Sequence, residues 1–278
     1  MRIRAGVEIS YESPAPSPIL MMLSVHPDRR GDLETPDILT SDRDIPIHTY
    51  CDAYGNLCSR AMLPAGSTTF STGFIIRDSG LHEALPLSGA VPPVEEVPDE
   101  AVVWLLGSRY CETDRMVDLA WSLFGRETRG WPLVKAILDY THNRIAFGYH
   151  DARNTRTAFE AHEEGVGVCR DYAHLAITLF RCMNIPARYC AGYMGDIGIP
   201  KAGVMDLSAW AEVWLDGRWW PVDARHNFPR IGRIVMARGR DAVDTAITTS
   251  FGAAQMTCFK VTTEEILQPG QSRTAITR

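Results

Sequence analysis

The stretch GVGVCRDYAHLAITLF, residues 165–180, sets one cysteine, Cys169, behind two glycines at the head of an apolar-periodic run. Ala173, Leu175, Ala176, Leu179 and Phe180 recur at helical spacing, so Cys169 is expected in the first turn of an amphipathic helix. Unpaired N–H groups and the positive end of the helix dipole gather there. Both favour the thiolate, the nucleophilic form of cysteine, and the same N–H groups can donate to an oxyanion. The chemistry expected is acyl transfer through a thioester. A cysteine without such a setting is more often a small buried hydrophobe; the glycines and the helix start bring the two readings level. His174 is a poor base for this thiol. Five residues at ~100° each turn it ~140° around the helix from Cys169, toward a neighbouring element.

A second segment, SAWAEVWLDGRWWPVDARHN at 208–227, can hold the helpers. Asp216-Gly217 between two alternating apolar runs predicts a two-residue hairpin turn. The register then pairs Leu215 with Arg218 and runs through Val213–Trp220 and Ala211–Val222 to Ser208–Arg225. Ala209, Ala211, Val213, Trp220, Val222 and Ala224 form a core face. Ser208, Trp210, Glu212, Trp214, Trp219, Pro221, Asp223 and Arg225 form the other, which reads as a cleft wall with Trp210, Trp214 and Trp219 as substrate-binding aromatics. Asp223 is diagonal to Ser208, about 7–8 Å away, a spacing at which a carboxylate can orient a side chain between them. The plainer role for Asp223 is an ion pair with Arg225 or Arg230.

The segments GVGVCRDYAHLAITLFRCMNIPARYCAGY and AWAEVWLDGRWWPVDA together resemble the transglutaminase-like superfamily. The N-terminal region is similar to the amino-terminal domain of bacterial transglutaminase-like proteins. The resemblance implies papain-like catalytic logic, with Cys169 as nucleophile and Asp223 as the orienting acid. It implies a peptide or protein substrate, water or an amine as acceptor, and no cofactor. It also maps the family's histidine onto Ser208, and serine is no base near neutral pH. Three outcomes stay open. His226 substitutes, although the ideal hairpin register turns it to the opposite face, so that it needs a strand end or bulge to swing in. Alternatively a low-pKa Cys169 reacts without a full triad, or the protein is a catalytically silent peptide binder.

The elements that must position these residues read as α+β. Short alternating runs such as GVEISYE, LCSRAMLPAG and TFSTGFIIRD predict an N-terminal antiparallel β-sandwich-like domain over 1–83. Four prolines mark a linker at 84–100. From 101 to 278 a papain-like, transglutaminase-like core is expected, helices first and an antiparallel sheet after, with a polar loop at 150–165. Seven cysteines without a C-x-x-C pair argue against a closed metal site. A net charge of −6 with mixed signs excludes the basic stripe of a nucleic-acid binder. No apolar run reaches the ~18 residues of a membrane span, and the opening lacks an apolar signal stretch, so a cytoplasmic protein is expected.

Overall fold

The computed structural model describes residues 1–86, 89–200 and 206–267. Residues 87–88 of the expected linker, and 201–205 and 268–278 of the expected core, lie outside the described residues. Six strands come first: β1 (Arg2–Ser13), β2 (Ser17–Met21), β3 (Thr40–Ser41), β4 (His48–Cys51), β5 (Leu57–Leu63) and β6 (Gly66–Arg77). There follow α1 (Asp99–Val102), α2 (Thr113–Phe124), α3 (Trp131–Arg144), β7 (Ala146–Phe147), α4 (Ala158–Glu164), β8 (Val166–Gly167) and α5 (Cys169–Cys182). The remaining strands are β9 (Ala187–Tyr193), β10 (Leu207–Leu215), β11 (Arg218–Val222), β12 (Ile234–Gly239), β13 (Thr248–Ser250) and β14 (Gln255–Glu265).

The N-terminal strands build two antiparallel sheets, ordered β14-β1-β6-β3 and β13-β2-β5-β4. Alternation does the work: Thr68, Phe70, Thr72, Phe74 and Ile76 of β6 all point inward. Ile3, Ile9, Ile19, Met21, Phe70 and Ile76 of the two sheets share one apolar cluster, and each is fully buried. β13 and β14 correct the expected division of the chain. Both were expected in the core, yet they complete the N-terminal sheets. β1 is an interior strand with two edges of backbone to satisfy, β6 covers one, and β14 covers the other in a register running from Ile3–Glu265 to Glu12–Gln255. The proline-rich linker is anchored too. Ala90 N–H donates to Asp216 Oδ1 at 2.7 Å, and Asp216 N–H returns to Ala90 O at 3.0 Å.

The third sheet, ordered β11-β10-β9-β12, is antiparallel. One of its faces and the helices α2, α3 and α4 enclose α5. From Asp171 to Cys182 every residue of α5 is buried, so the helix is central rather than amphipathic. Its polar residues are accommodated one by one. His174 Nε2 accepts the Ala242 N–H at 3.1 Å, and Thr178 donates to His174 O at 2.8 Å. Arg181 donates to the carbonyls of Trp104, Ala187 and Arg240. Where a polar loop was expected at 150–165, α4 forms instead. Thr157 accepts the Glu160 N–H while Glu160 accepts the Thr157 N–H, a reciprocal cap that lets seven residues hold a helix. Among the described residues, no helix is long and apolar enough to cross a membrane.

Candidate active site

Cys169 is the first residue of α5. The turn into the helix is closed by Asp171, whose Oδ2 accepts the Val168 N–H at 2.8 Å and the Arg156 Nη1 at 3.1 Å. Gly167 makes this possible: a Cβ there would stand 2.6 Å from that same Oδ2. Phe147 of β7 pairs with Gly167 of β8, two residues ahead of the cysteine. Cys169 itself is half-buried and packs against the main core. Its thiol accepts the Ala209 N–H of β10, just past the point where β11 stops pairing, opposite Ala211. Burial dominates and pushes the thiol above its ordinary value of 9.0, Arg225 and the Ala209 N–H pull it down, and Asp206 and Asp223 push it up again. The expectation of a lowered thiol pKa is therefore corrected: the resting group is a thiol.

The hairpin adopts the expected register from Leu215–Arg218 to Ala211–Val222. Asp216 and Gly217 both take positive φ, 50° and 74°, as a two-residue turn with strand-compatible twist demands. Ala209, Ala211, Val213, Trp220, Val222 and Ala224 lie in the core shared with the helices, as read from alternation. Beyond Val222 the strand ends. Residues 224–226 form a turn, closed by Asn227 N–H donating to Asp223 O at 2.8 Å. α3 buttresses it: His142 Nδ1 lies 3.0 Å from the carbonyls of Ala224 and Arg225, and Asn227 Nδ2 donates to Asp139 at 2.6 Å.

This turn folds His226 back onto Asp223. His226 Nδ1 lies 2.9 Å from Asp223 Oδ2, and the carboxylate partner assigns the proton to Nδ1. Asp223 Oδ1 accepts the N–H groups of Arg225 at 2.9 Å and His226 at 3.1 Å, and Arg233 Nη1 and Nη2 stand 3.4 Å from Oδ2. Burial alone pushes the Asp223 carboxyl up, but the His226 hydrogen bond and the Arg233 charge outweigh it and hold it well below the usual carboxylate range. Burial pushes His226 below its ordinary 6.5; Asp223 opposes this, and Arg230 and Arg225 reinforce it. The imidazole is thus neutral near pH 7, with its proton on Nδ1 and Nε2 unprotonated.

The expected aromatic wall is split among the described residues: Trp214 and Trp219 pack into a small cluster, while Trp210 lines a cavity with Glu83, Pro221, Arg230 and Arg233. Trp210 is 2% exposed, with Arg233 4.5 Å above its ring. Trp214 and Trp219 pack edge-to-face on each other, and Trp104 packs on Trp219, in a cluster that includes Tyr54. Val97, Ala101 and Trp104 cover the part of that face that carries Trp214 and Trp219. Ser208 is 5% exposed, and its Oγ finds no partner among the described residues. His174 is fully buried, stacked on Tyr110 and held neutral by burial, away from the chemistry.

Residues 119–224 match the transglutaminase-like superfamily. The chain carries a transglutaminase-like core. A candidate cysteine protease from Cytophaga hutchinsonii has a similar structure, with a TM-score of 0.84 and 26% identity over 98% of this chain and 92% of that one. An uncharacterized protein of Mycobacterium leprae is 34% identical over 84 residues, 29% of this chain and 30% of its own. One of Mycobacterium tuberculosis is 36% identical over 88 residues, 28% of each chain. The chain thus spans under a third of the length of these two relatives. Among the residues near the thiol, sequence reasoning missed Asp206. Arg225 stacks 3.8 Å above the Phe147 ring and is the cation acting on Cys169, and Asp206 is a nearby carboxyl. Alternation placed Arg225 on the face of Asp223, where a simple ion pair between the two was expected. The carboxylate pairs with Arg233 instead, because the turn spends the Arg225 N–H, not its guanidinium, on Asp223.

Proposed function

We propose that this protein is a cysteine-dependent acyl-transfer enzyme acting on a peptide or protein substrate. Cys169 is the nucleophile, His226 the base and Asp223 the orienting acid. The observation that carries the reading is the Asp223 carboxylate, which holds His226 Nδ1 at 2.9 Å and acts through its charge on the Cys169 thiol. The likeness of the whole chain to a candidate cysteine protease supports it. The thiol sits above its ordinary pKa and the imidazole below, so the resting pair is neutral rather than an ion pair. Nε2 of His226 takes the thiol proton as sulfur bonds to the scissile carbonyl carbon. N–H groups at the start of α5 receive the developing oxyanion. The C–N bond then breaks, and His226 returns its proton to the departing amine. Water or a second amine attacks the thioester with His226 again as base. Seven unpaired cysteines fit a reducing compartment, the cytoplasm. The silent-binder alternative rested on serine at position 208, and the imidazole that Asp223 holds at His226 is what favours an enzyme over it.

The test is a fluorogenic peptide-amide library together with a peptidyl electrophile. Turnover should disappear in Cys169→Ala, and the electrophile should label Cys169. Turnover that survives Cys169→Ala, or a wild-type protein that neither turns over nor takes label at Cys169, overturns the proposal. Ser208→His supplies a second check. With His226 serving as base, a new imidazole at a 5%-exposed position adds bulk and no catalysis. We expect turnover unchanged or lower and stability reduced by about 1–3 kcal/mol, read by peptide hydrolysis and urea unfolding. A gain in turnover would return the base role to position 208.

A further inference from the structure

We propose that Glu83, in the segment between the N-terminal sheets and the helices, is a positioning residue for the His226 imidazole, acting through Arg233 and Asp223. The inference rests on the reading of His226 as the base. Glu83 grips Arg233 with both carboxylate oxygens, Oε1 to Nε at 2.6 Å and Oε2 to Nη2 at 3.2 Å. The other side of the same guanidinium faces Asp223 Oδ2, the oxygen that holds His226. Arg233 is 6% exposed and Asp223 3%, so water screens little of this chain of charges.

Glu83 is itself fixed at both ends. Its N–H donates to Arg230 O at 3.1 Å, and its Oε2 accepts the Arg230 N–H at 3.3 Å, which ties it to the loop that carries Arg233. The Trp210 ring supports the guanidinium from below, 4.5 Å away. The distances reveal how the guanidinium is shared. Its 2.6 Å contact is with Glu83, whereas both contacts with Asp223 are 3.4 Å. Asp223 therefore keeps its stronger hydrogen bond, 2.9 Å, for the imidazole. Without the Glu83 carboxylate, Arg233 is free to close on Asp223 and compete with His226 for Oδ2. The imidazole then loses its orienting partner and gains an unbalanced cation nearby. Glu83 lies outside the residues matched to the transglutaminase-like core, so this contact makes the site depend on a part of the chain that precedes that core.

The experiment uses Glu83→Gln and Glu83→Asp in the full chain, with two readouts. The first is the His226 titration, followed by NMR of imidazole-labelled protein, which needs no turnover. The second is the pH dependence of kcat and KM for peptide-amide hydrolysis. For Glu83→Gln we expect the His226 titration and the acid limb of kcat to move together to lower pH, kcat to fall between ~10- and 100-fold, and KM to hold within about twofold. Glu83→Asp keeps the charge and should restore most of both, and it carries the test if Glu83→Gln does not fold. Variants that fold, lose stability only, and leave the His226 titration at the wild-type pH overturn the proposal. A wild-type protein without Cys169-dependent turnover would defeat the functional reading, while the NMR titration would still decide the role of Glu83.

Discussion

His226→Ala is expected to lower kcat/KM by roughly 10²–10⁴, the contribution of a positioned general base, while leaving the fold intact. The side chain is 17% exposed and stands in a surface turn, so its removal opens little core. The size of the effect follows from the resting state. A thiol raised above 9.0 supplies little thiolate near pH 7, so a base must remove its proton at each turnover. The pH profile carries the same signature. Because burial lowers His226 from 6.5, the acid limb of kcat/KM should have its midpoint below 6.5, with no fall at the alkaline end before the thiol itself ionises above 9.0. A thiolate–imidazolium pair would behave otherwise, with an alkaline limb set by loss of the imidazolium proton. A His226→Ala variant with wild-type kcat/KM would remove the imidazole from the mechanism.

Arg156→Met is expected to cost about 3–5 kcal/mol at neutral pH, because it leaves a buried carboxylate without its cation. Asp171 is 1% exposed and Arg156 5%, and the two meet at 3.1 Å below the start of α5. The pH dependence has a definite direction. Burial already raises the Asp171 carboxyl above 3.8 despite the Val168 N–H and Arg156, so the folded chain holds this proton more tightly than the unfolded one. That contribution to stability is present in acid and is lost as pH rises through the folded pKa. Removing Arg156 widens the gap. Urea unfolding should show the variant far below wild type at pH 7 and converging on it as pH falls toward 4, where a protonated Asp171 needs no partner. A penalty that does not shrink in acid would show that Arg156 acts by packing rather than charge.

The site was legible in the sequence where local pattern decides structure. A glycine-led helical run fixed Cys169 at a helix start, and Asp216-Gly217 fixed the register that sets Asp223 on the face of Trp210. Arg233 lies against both residues. Alternation reports which residues share a face and is silent about what covers it. The face of Trp210, Trp214 and Trp219 therefore read as a cleft wall, although Val97, Ala101 and Trp104 cover the part that carries Trp214 and Trp219. His226 was within reach of inference only as an exception to ideal pairing, because the strand ends at Val222 and a three-residue turn reverses its direction. Glu83 and Arg233 left no signal, being 150 positions apart and paired only by the fold.

β1 lies between β6 and β14, and Arg4 pairs with Glu264, a separation of 264 − 4 = 260 positions. On the ribosome, β1 and β6 emerge early and can form their ladder at once, but one edge of β1 stays bare until the transglutaminase-like core and β14 have been synthesised. The contact order of that last pairing is close to the length of the chain, which makes it a slow closure and exposes an adhesive strand edge in the meantime. A stop codon or proteolytic cut ahead of residue 255 would remove the cover from β1 without touching a single residue of the site, and its first symptom would be aggregation of nascent chains rather than loss of chemistry.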